Sequence, residues 1–224
     1  PEARTMTDGY PVVPEALLDG WDERVREEST VFRLSTVSVV GHTVLYEDAA
    51  LCEALERAGV ADLLAEGTSD DRIVETNGRG DYWRFVFATA LTFSPPLTPG
   101  IGPASLRPTV VAEARRSFQG DLESRGFENV ERGSSQRART ESGDRASLVK
   151  YTASYPFENA PTDALDVEGW LAVWSTGGSF RIAGGVYPTG GLDGLLAGLD
   201  EDERPPTDPN TYRDELLDLI RAVE

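Results

Sequence analysis

Lysine is almost missing from this chain: Lys150 stands alone, and the other basic residues are arginines. Cysteine, histidine and methionine also occur once each, as Cys52, His42 and Met6. A single cysteine excludes an internal disulfide and every multi-cysteine metal site. In its Ala/Leu-rich helical stretch, Cys52 reads as a small buried hydrophobe rather than a reactive thiol. A single histidine excludes zinc clusters built on paired imidazoles and leaves one candidate for imidazole acid/base chemistry. No apolar run approaches the ~20 residues of a membrane span. No basic-then-apolar leader is visible. A start at Met6 would give a cytoplasmic protein; the tail of a removed secretion signal is the other reading of the same residues.

What is abundant is acid. Asp and Glu number 39 against 21 Lys plus Arg, a formal net charge of -18 over 224 residues. Dense carboxylates with almost no lysine suit a protein built for molar salt, where they hold water at the surface while their mutual repulsion is screened. The acidity then describes the solvent and not a partner. The charge is uneven, however. Residues 107–150 hold nine basic side chains (Arg107, Arg115, Arg116, Arg125, Arg132, Arg137, Arg139, Arg145 and Lys150) against seven acids, and the rest of the chain twelve against thirty-two. The expected role of these arginines is pairing with carboxylates inside the fold. The sharper alternative is an anion-facing strip, although molar salt weakens nucleic-acid binding steeply, so no nucleic-acid partner is expected.

The hydrophobic pattern predicts a single α+β domain over residues 1–224, an antiparallel β-sheet with helices packed on both faces. Residues 1–30 read as an N-terminal extension with a short helix near Leu17, Leu18 and Trp21. Residues 31–46, rich in β-branched side chains, read as one long bent strand or a hairpin kinked at Gly41. From Asp48, Leu51, Ala54, Leu55 and Ala58 recur at helical spacing, with Asp48 as cap and Gly59 as terminator. A second short turn is expected over 60–65, and a polar loop over 67–81, whose Arg79-Gly80-Asp81 needs no explanation beyond a glycine turn. Residues 82–93 are apolar on both faces, as in a central strand covered on both sides. Ser105–Arg125 forms the clearest helix, with Val110, Ala114, Phe118 and Leu122 at successive i, i+4 steps.

A strand meander follows, with Arg139 and Ala146 expected to pair across a turn at Ser142-Gly143. Gly177-Gly178 joins two strands in the clearest hairpin, which places Val173 opposite Ile182, Leu171 opposite Gly184, Trp174 opposite Arg181 and Trp170 opposite Gly185. Residues 189–224 read as a C-terminal helical segment on the sheet, with Tyr212, Leu216, Leu217 and Ile220 inward.

Catalytic signals are sparse. Gly100-Ile101-Gly102 lacks the remainder of any phosphate loop. No Gly-x-Ser-x-Gly elbow surrounds a serine, so a hydrolase would have to use His42 with a neighbouring hydroxyl. Asp200-Glu201-Asp202-Glu203 does not match a calcium loop. Neither a catalytic set, a metal site nor a cofactor is expected. The constellation that stands out is Trp170, Trp174, Arg181 and Tyr187 on one hairpin face, where Arg181 could stack on an indole. Covered by helices, these residues are core; left open, they form a face for a partner or an apolar ligand. The glycines at 184 and 185 leave a gap beside Trp170, to be filled by a ring or by a ligand.

The order of the second half (the 105–125 helix, the Ser142-Gly143-Asp144 turn into Leu148-Val149-Lys150-Tyr151, the Trp-rich hairpin, the terminal helix) resembles the Mog1/PsbP-like arrangement over residues 82–224. The whole chain also resembles uncharacterised haloarchaeal proteins. The Mog1/PsbP resemblance implies a non-catalytic, partner-binding role and carries over no functional residue. The leading expectation is therefore a non-enzymatic protein-interaction or accessory domain. The alternative is a small-molecule or lipid carrier with an aromatic pocket drawn from Trp170, Trp174 and the Trp83/Phe85/Phe87 strand. A hydrolase working through His42 is the lesser alternative.

Overall fold

The computed structural model describes residues 9–34, 37–60, 83–94, 103–157 and 160–224. Seven strands join one antiparallel sheet in the order β1-β2-β3-β7-β6-β5-β4: β1 Trp21–Leu34, β2 Val37–Asp48, β3 Phe85–Ser94, β4 Glu128–Arg139, β5 Arg145–Pro156, β6 Ala164–Thr176 and β7 Ser179–Gly190. Among the described residues four α-helices accompany them: α1 Ala49–Arg57, α2 Pro103–Ser124, the one-turn α3 Leu192–Leu195 and α4 Pro209–Ala222.

The sheet centres on the β6–β7 hairpin. Gly177 and Gly178 both take positive φ (57° and 84°), as a two-residue turn between right-twisting strands requires. That turn sets the register, and all four expected pairs are present: Val173 with Ile182, Leu171 with Gly184, Trp174 with Arg181 and Trp170 with Gly185. β3 lies against β7 with Phe87 opposite Gly184 and Val86 opposite Gly185. Its side chains are buried on both faces from Phe85 to Leu91 except for half-buried Phe87, as the doubly apolar pattern predicts.

The expected α+β arrangement with helices packed on both faces is overturned. Strand dominates the architecture, and among the described residues helices are few and neither face carries a helical layer. The 22-residue α2 crosses only the β4, β6 and β7 part of one face, and the 14-residue α4 lies on β7 and β3 from the other side. The strands are 10–14 residues long, so much of each lies beyond any helix. The reason is visible in β1, whose Trp21–Leu34 run alternates charges with scattered apolar residues and stays largely exposed at the sheet edge. Such a strand needs a neighbour for its hydrogen bonds but no helix over its side chains.

Three local expectations change as well. Residues 21–30 belong to β1 and not to an extension, and among the described residues before them a 3-10 turn forms at Glu15–Leu17. Residues 31–46 split into the β1–β2 hairpin, and Gly41 lies inside β2 opposite Ser29 and Leu91. A Cβ at Gly41 would come within 2.9 Å of Val31 Cγ1, so the glycine serves close packing and not a kink. The β4–β5 turn closes on Arg139–Arg145 instead of Arg139–Ala146. Thr140 is the cause: its N–H donates to the Asp144 carbonyl and its Oγ1 accepts from the Asp144 N–H at 3.0 Å, which completes the loop one residue early. The 60–65 turn beyond Val60, the 67–81 loop and Gly100-Ile101-Gly102 fall largely outside the described residues.

The expected helices otherwise appear in place. Asp48 caps α1 by accepting from Leu51 N at 3.0 Å, and Gly59 ends that segment at φ 74°. On α2, Val110, Ala114, Phe118 and Leu122 are all buried. On α4 the inward face is Tyr212, Leu216, Leu219 and Ile220, with Leu217 only partly covered.

Candidate functional site

The four residues singled out on the β6–β7 hairpin lie on one face, beneath α4. Trp174 and Tyr187 are each 1% exposed, Trp170 is buried, and Arg181 is half-buried. The gap that glycine leaves beside Trp170 is filled by the protein itself. A Cβ on Gly185 would sit 2.7 Å from Leu216 Cδ1 of α4 and 2.2 Å from the Phe85 carbonyl oxygen, and one on Gly184 would meet the Phe87 ring at 2.9 Å. Tyr187 donates its hydroxyl to Glu168 Oε2 at 2.6 Å, and the same carboxylate pairs with Lys150. These two partners hold the Glu168 carboxyl below its ordinary value against the opposing effect of burial. Arg181 Nη1 donates to the Phe180 carbonyl at 3.3 Å, but its guanidinium does not stack on Trp174, and among the described residues its Nε and the Trp170 Nε1 have no hydrogen-bond partner. The face is therefore packed core in this structure.

The edge of α4 is pinned by Arg84, which is buried between the rings of Trp21 and Tyr212, 4.8 and 3.9 Å from their centroids. Its guanidinium pairs with Asp48, the α1 cap, and with Glu215 of α4. At the other end, Val12 and Glu224 exchange backbone hydrogen bonds, and Glu141 N donates to the Arg221 carbonyl. None of this pinning was foreseen from the sequence, because its members lie far apart along the chain.

The opposite face behaves differently. Between α2 and the β1, β2, β3 and β7 strands lies a cleft of about 580 Å³. Its floor is apolar: Val25, Leu45, Phe85, Phe87, Leu171 and Ile182. Set into that floor are Thr43 and Thr89, directly opposite across β2 and β3, with their hydroxyls 2.9 Å apart. One hydroxyl donates to the other, which leaves one donor hydrogen for a further acceptor. Charge is confined to the rim, where Glu27 comes from β1 and Glu113, Arg116, Asp121 and Arg125 come from α2 and its C-terminal end, beside the neutral Ser117. Arg116 is engaged by both oxygens of Glu113 at 2.6 and 2.8 Å. Arg125 lies 4.9 Å from the centre of the Phe85 ring. Asp121 keeps contact with solvent, yet the atoms crowded around its carboxyl raise it above the usual range, with Arg125 opposing. Of the aromatic pocket expected for a carrier, Phe85 and Phe87 line this cleft. Trp83 instead joins Phe127, Tyr155 and Phe157 in a separate ring cluster, and Trp170 and Trp174 face the other way.

His42 sits in β2 on the α4 side, beyond the helix. Its Nδ1 is 3.4 Å from Glu28 Oε2, its Nε2 is 3.4 Å from Thr92 Oγ1, and the Tyr10 ring meets it edge-on at 5.4 Å. Among the described residues the hydroxyl beside it belongs to a threonine in mid-strand and not to a serine. Cys52 is half-buried on α1, its thiol pushed up to about 11 mainly by burial and by Glu47. Asp200 and Glu203 cap their own 3-10 turn. Among the described residues no three His, Cys, Asp or Glu side chains are placed to share a metal ion, and no helix is long and apolar enough to cross a membrane.

With this geometry in view, a family model matches residues 10–224, a span that takes in every described strand and helix. The chain belongs to the family of the domain of unknown function DUF6517. No curated protein matches the chain. The matched span contains both the sealed α4 face and the cleft under α2.

Proposed function

We propose that the chain is a non-catalytic binding domain that holds a small, mostly apolar molecule in the cleft beneath α2. The observation that carries this reading is the cleft floor: about 580 Å³ of space over Phe85, Phe87, Leu171 and Ile182, with the Thr43–Thr89 hydroxyl pair as its polar point. Small-molecule sites have this character, a concave apolar lining of several hundred cubic ångströms with few oriented polar groups. The ligand class that fits is a compact hydrocarbon body carrying a carbonyl or ether oxygen, able to accept from the threonine pair.

A neutral fluorescent probe, N-phenyl-1-naphthylamine, tests this directly. It should bind saturably to the wild-type chain and at least ~10-fold more weakly to Ser117→Trp, whose indole would fill the cleft from the exposed rim of α2. Native mass spectrometry of protein taken from its own host would show the physiological occupant as added mass. No saturable binding, or equal binding by Ser117→Trp, would overturn the proposal.

An accessory role through protein contact is supported less well at the Trp170/Trp174 face, because a partner there would have to displace α4. The lysine-poor acidic surface supports a second, independent reading, adaptation to high salt in a haloarchaeal setting. It predicts that the unfolding midpoint rises as KCl goes from tenths molar to molar, through screening of self-repulsion and stronger apolar burial. A flat or falling midpoint would remove that reading.

A further inference from the structure

The arginines of residues 107–150 were expected to pair with carboxylates, and most do not. Arg116 is taken by Glu113 and Lys150 by Glu168. No ion pair reaches Arg107, Arg115, Arg137, Arg139 or Arg145 among the described residues. These five converge. On the far side of α2 from the cleft, Arg107, Arg137, Arg139 and Arg145 line a groove of about 850 Å³ with Ser135 and Ser147. Arg115 borders it, with its Nη2 donating to both serine hydroxyls at 2.8 and 3.2 Å.

Three features set the groove apart from ordinary edge protection. Arg139 and Arg145 are direct cross-strand partners, a like-charge opposition that costs stability unless something negative lies between them. Their neighbours give only neutral acceptors: Arg139 Nη1 donates to the Gly143 carbonyl at 2.9 Å and Arg107 Nη2 to the Arg145 carbonyl at 3.1 Å. Secondly, the opposite edge strand, β1, meets the same solvent with charges that neutralise each other, as in Arg26–Glu23 and Arg24–Glu47. Thirdly, in a chain holding 39 acids and 21 bases, no acidic side chain is among those that line the groove, although Glu141 and Asp144 lie in the adjoining turn. Shielding an edge needs charge of either sign; it does not need five guanidiniums gathered together with no ion pair among the described residues.

We infer that this groove is a binding site for a small, multiply charged phosphate compound. Guanidinium forks and serine hydroxyls match phosphate oxygens in geometry, and bidentate contacts of this kind retain strength where simple charge attraction is screened. No aromatic side chain lines the groove, so it offers nothing for a nucleobase to stack on, and the anionic portion is what it would recognise. The inference is independent of the ligand in the cleft.

Titration calorimetry with inorganic tripolyphosphate, at 0.2 M and at 2 M KCl, tests it. Saturable binding is expected, tighter than for inorganic phosphate, with at least ~10-fold loss in Arg137→Gln/Arg145→Gln and no change in Arg116→Gln. The double variant should melt at or above the wild-type temperature, since it relieves the Arg139–Arg145 opposition; that keeps lost binding separate from lost folding. Undetectable tripolyphosphate binding, or equal binding by the double variant, would overturn the inference. So would saturable binding of a short single-stranded oligonucleotide that tripolyphosphate does not displace, because the surface would then be a nucleic-acid one.

Discussion

The sheet has one sealed face and one face left partly open. Under α4, glycine at 185 removes the Cβ that would strike Leu216, so the helix settles close enough to bury Trp170, Trp174 and Tyr187. Arg84 and the Val12–Glu224 backbone pair then fasten the helix at its margins. Under α2 a glycine again permits close approach, at Gly169, where Phe118 would stand 3.2 Å from an added Cβ. That contact seats the helix over β6, with β4 and β7 beside it. Toward β1, β2 and β3 no described helix follows, and the apolar floor of the cleft is left to whatever occupies it. Two comparable apolar faces thus diverge because one is closed by a pinned helix and the other by a helix set to one side.

The comparison breaks most visibly at the sealed face. Trp174→Ala should cost about 3–5 kcal/mol, the range for emptying a fully buried aromatic site, measured as a fall in the denaturant midpoint at unchanged slope. A loss below ~1 kcal/mol would mean that α4 moves in to refill the space and that the face is less rigid than its packing implies. The matched change on the open side, Val31→Ala at a 42% exposed position, should stay within about 0.5 kcal/mol.

Next in size is Arg84→Ala. It strips the partner from Asp48, which is buried, and from Glu215, whose side chain is half in water. Leaving a buried carboxylate unpaired costs about 3 kcal/mol, and here α4 would also lose its anchor. Amide hydrogen exchange should therefore quicken along α4 before it does along α2. Uniform acceleration across both helices would show that Arg84 supports the whole core and not one face.

How much of this was readable beforehand follows from where the controlling interactions lie along the chain. The β6–β7 register was legible to the residue because Gly177-Gly178 dictates its own turn and the turn dictates the pairs. α2 and α4 were legible because their apolar periodicity is local. β1 was missed because the 21–34 run has the pattern of an exposed edge, with no apolar face to announce a strand. The extent of helical cover was misjudged, since apolarity on both faces of β3 shows only that something covers it: Leu216 and the α4 face on one side, Phe118 and a cleft on the other. Trp170, Trp174, Arg181 and Tyr187 were correctly grouped on one face, but their accessibility depended on where the C-terminal helix would dock. The arginine cluster was visible as composition, whereas its lack of carboxylate partners is a property of the fold alone.

The pH response should also separate the faces, with a smaller effect. Glu168, on the α4 side, is held below its ordinary value by Lys150 and Tyr187. A depressed carboxyl contributes stability above its unfolded value, near 4.5, and loses it as pH falls through the lower folded value. Glu168→Gln should then flatten that part of the acid-unfolding curve. Asp121, on the cleft rim, is raised, so its contribution has the opposite sign. It favours the folded state at low pH and declines as pH rises from the unfolded value through the folded one. Asp121→Asn should therefore steepen the acid loss in the window where Glu168→Gln reduces it. The same sign in both variants would contradict the assignment of these two carboxyls to unlike surroundings.

The smallest expected change in stability is at Thr89, and it is the one that bears most directly on what the open face is for. Thr89→Val keeps the shape of the side chain and removes one of the two hydroxyls that meet at 2.9 Å in the cleft floor. Thr43, left without its partner, borders open space and can be hydrated, so the cost should stay below about 1 kcal/mol. Ligand affinity should respond more strongly than stability. A bound molecule that uses the pair would lose an oriented hydrogen bond inside an apolar cleft, where replacement by water is hindered once the ligand is seated. If affinity for an oxygen-bearing ligand falls while affinity for a pure hydrocarbon probe is unchanged, the threonine pair is the polar recognition point of the cleft. If both fall together, the hydroxyls serve only to hold β2 and β3 in register, and the floor binds by shape.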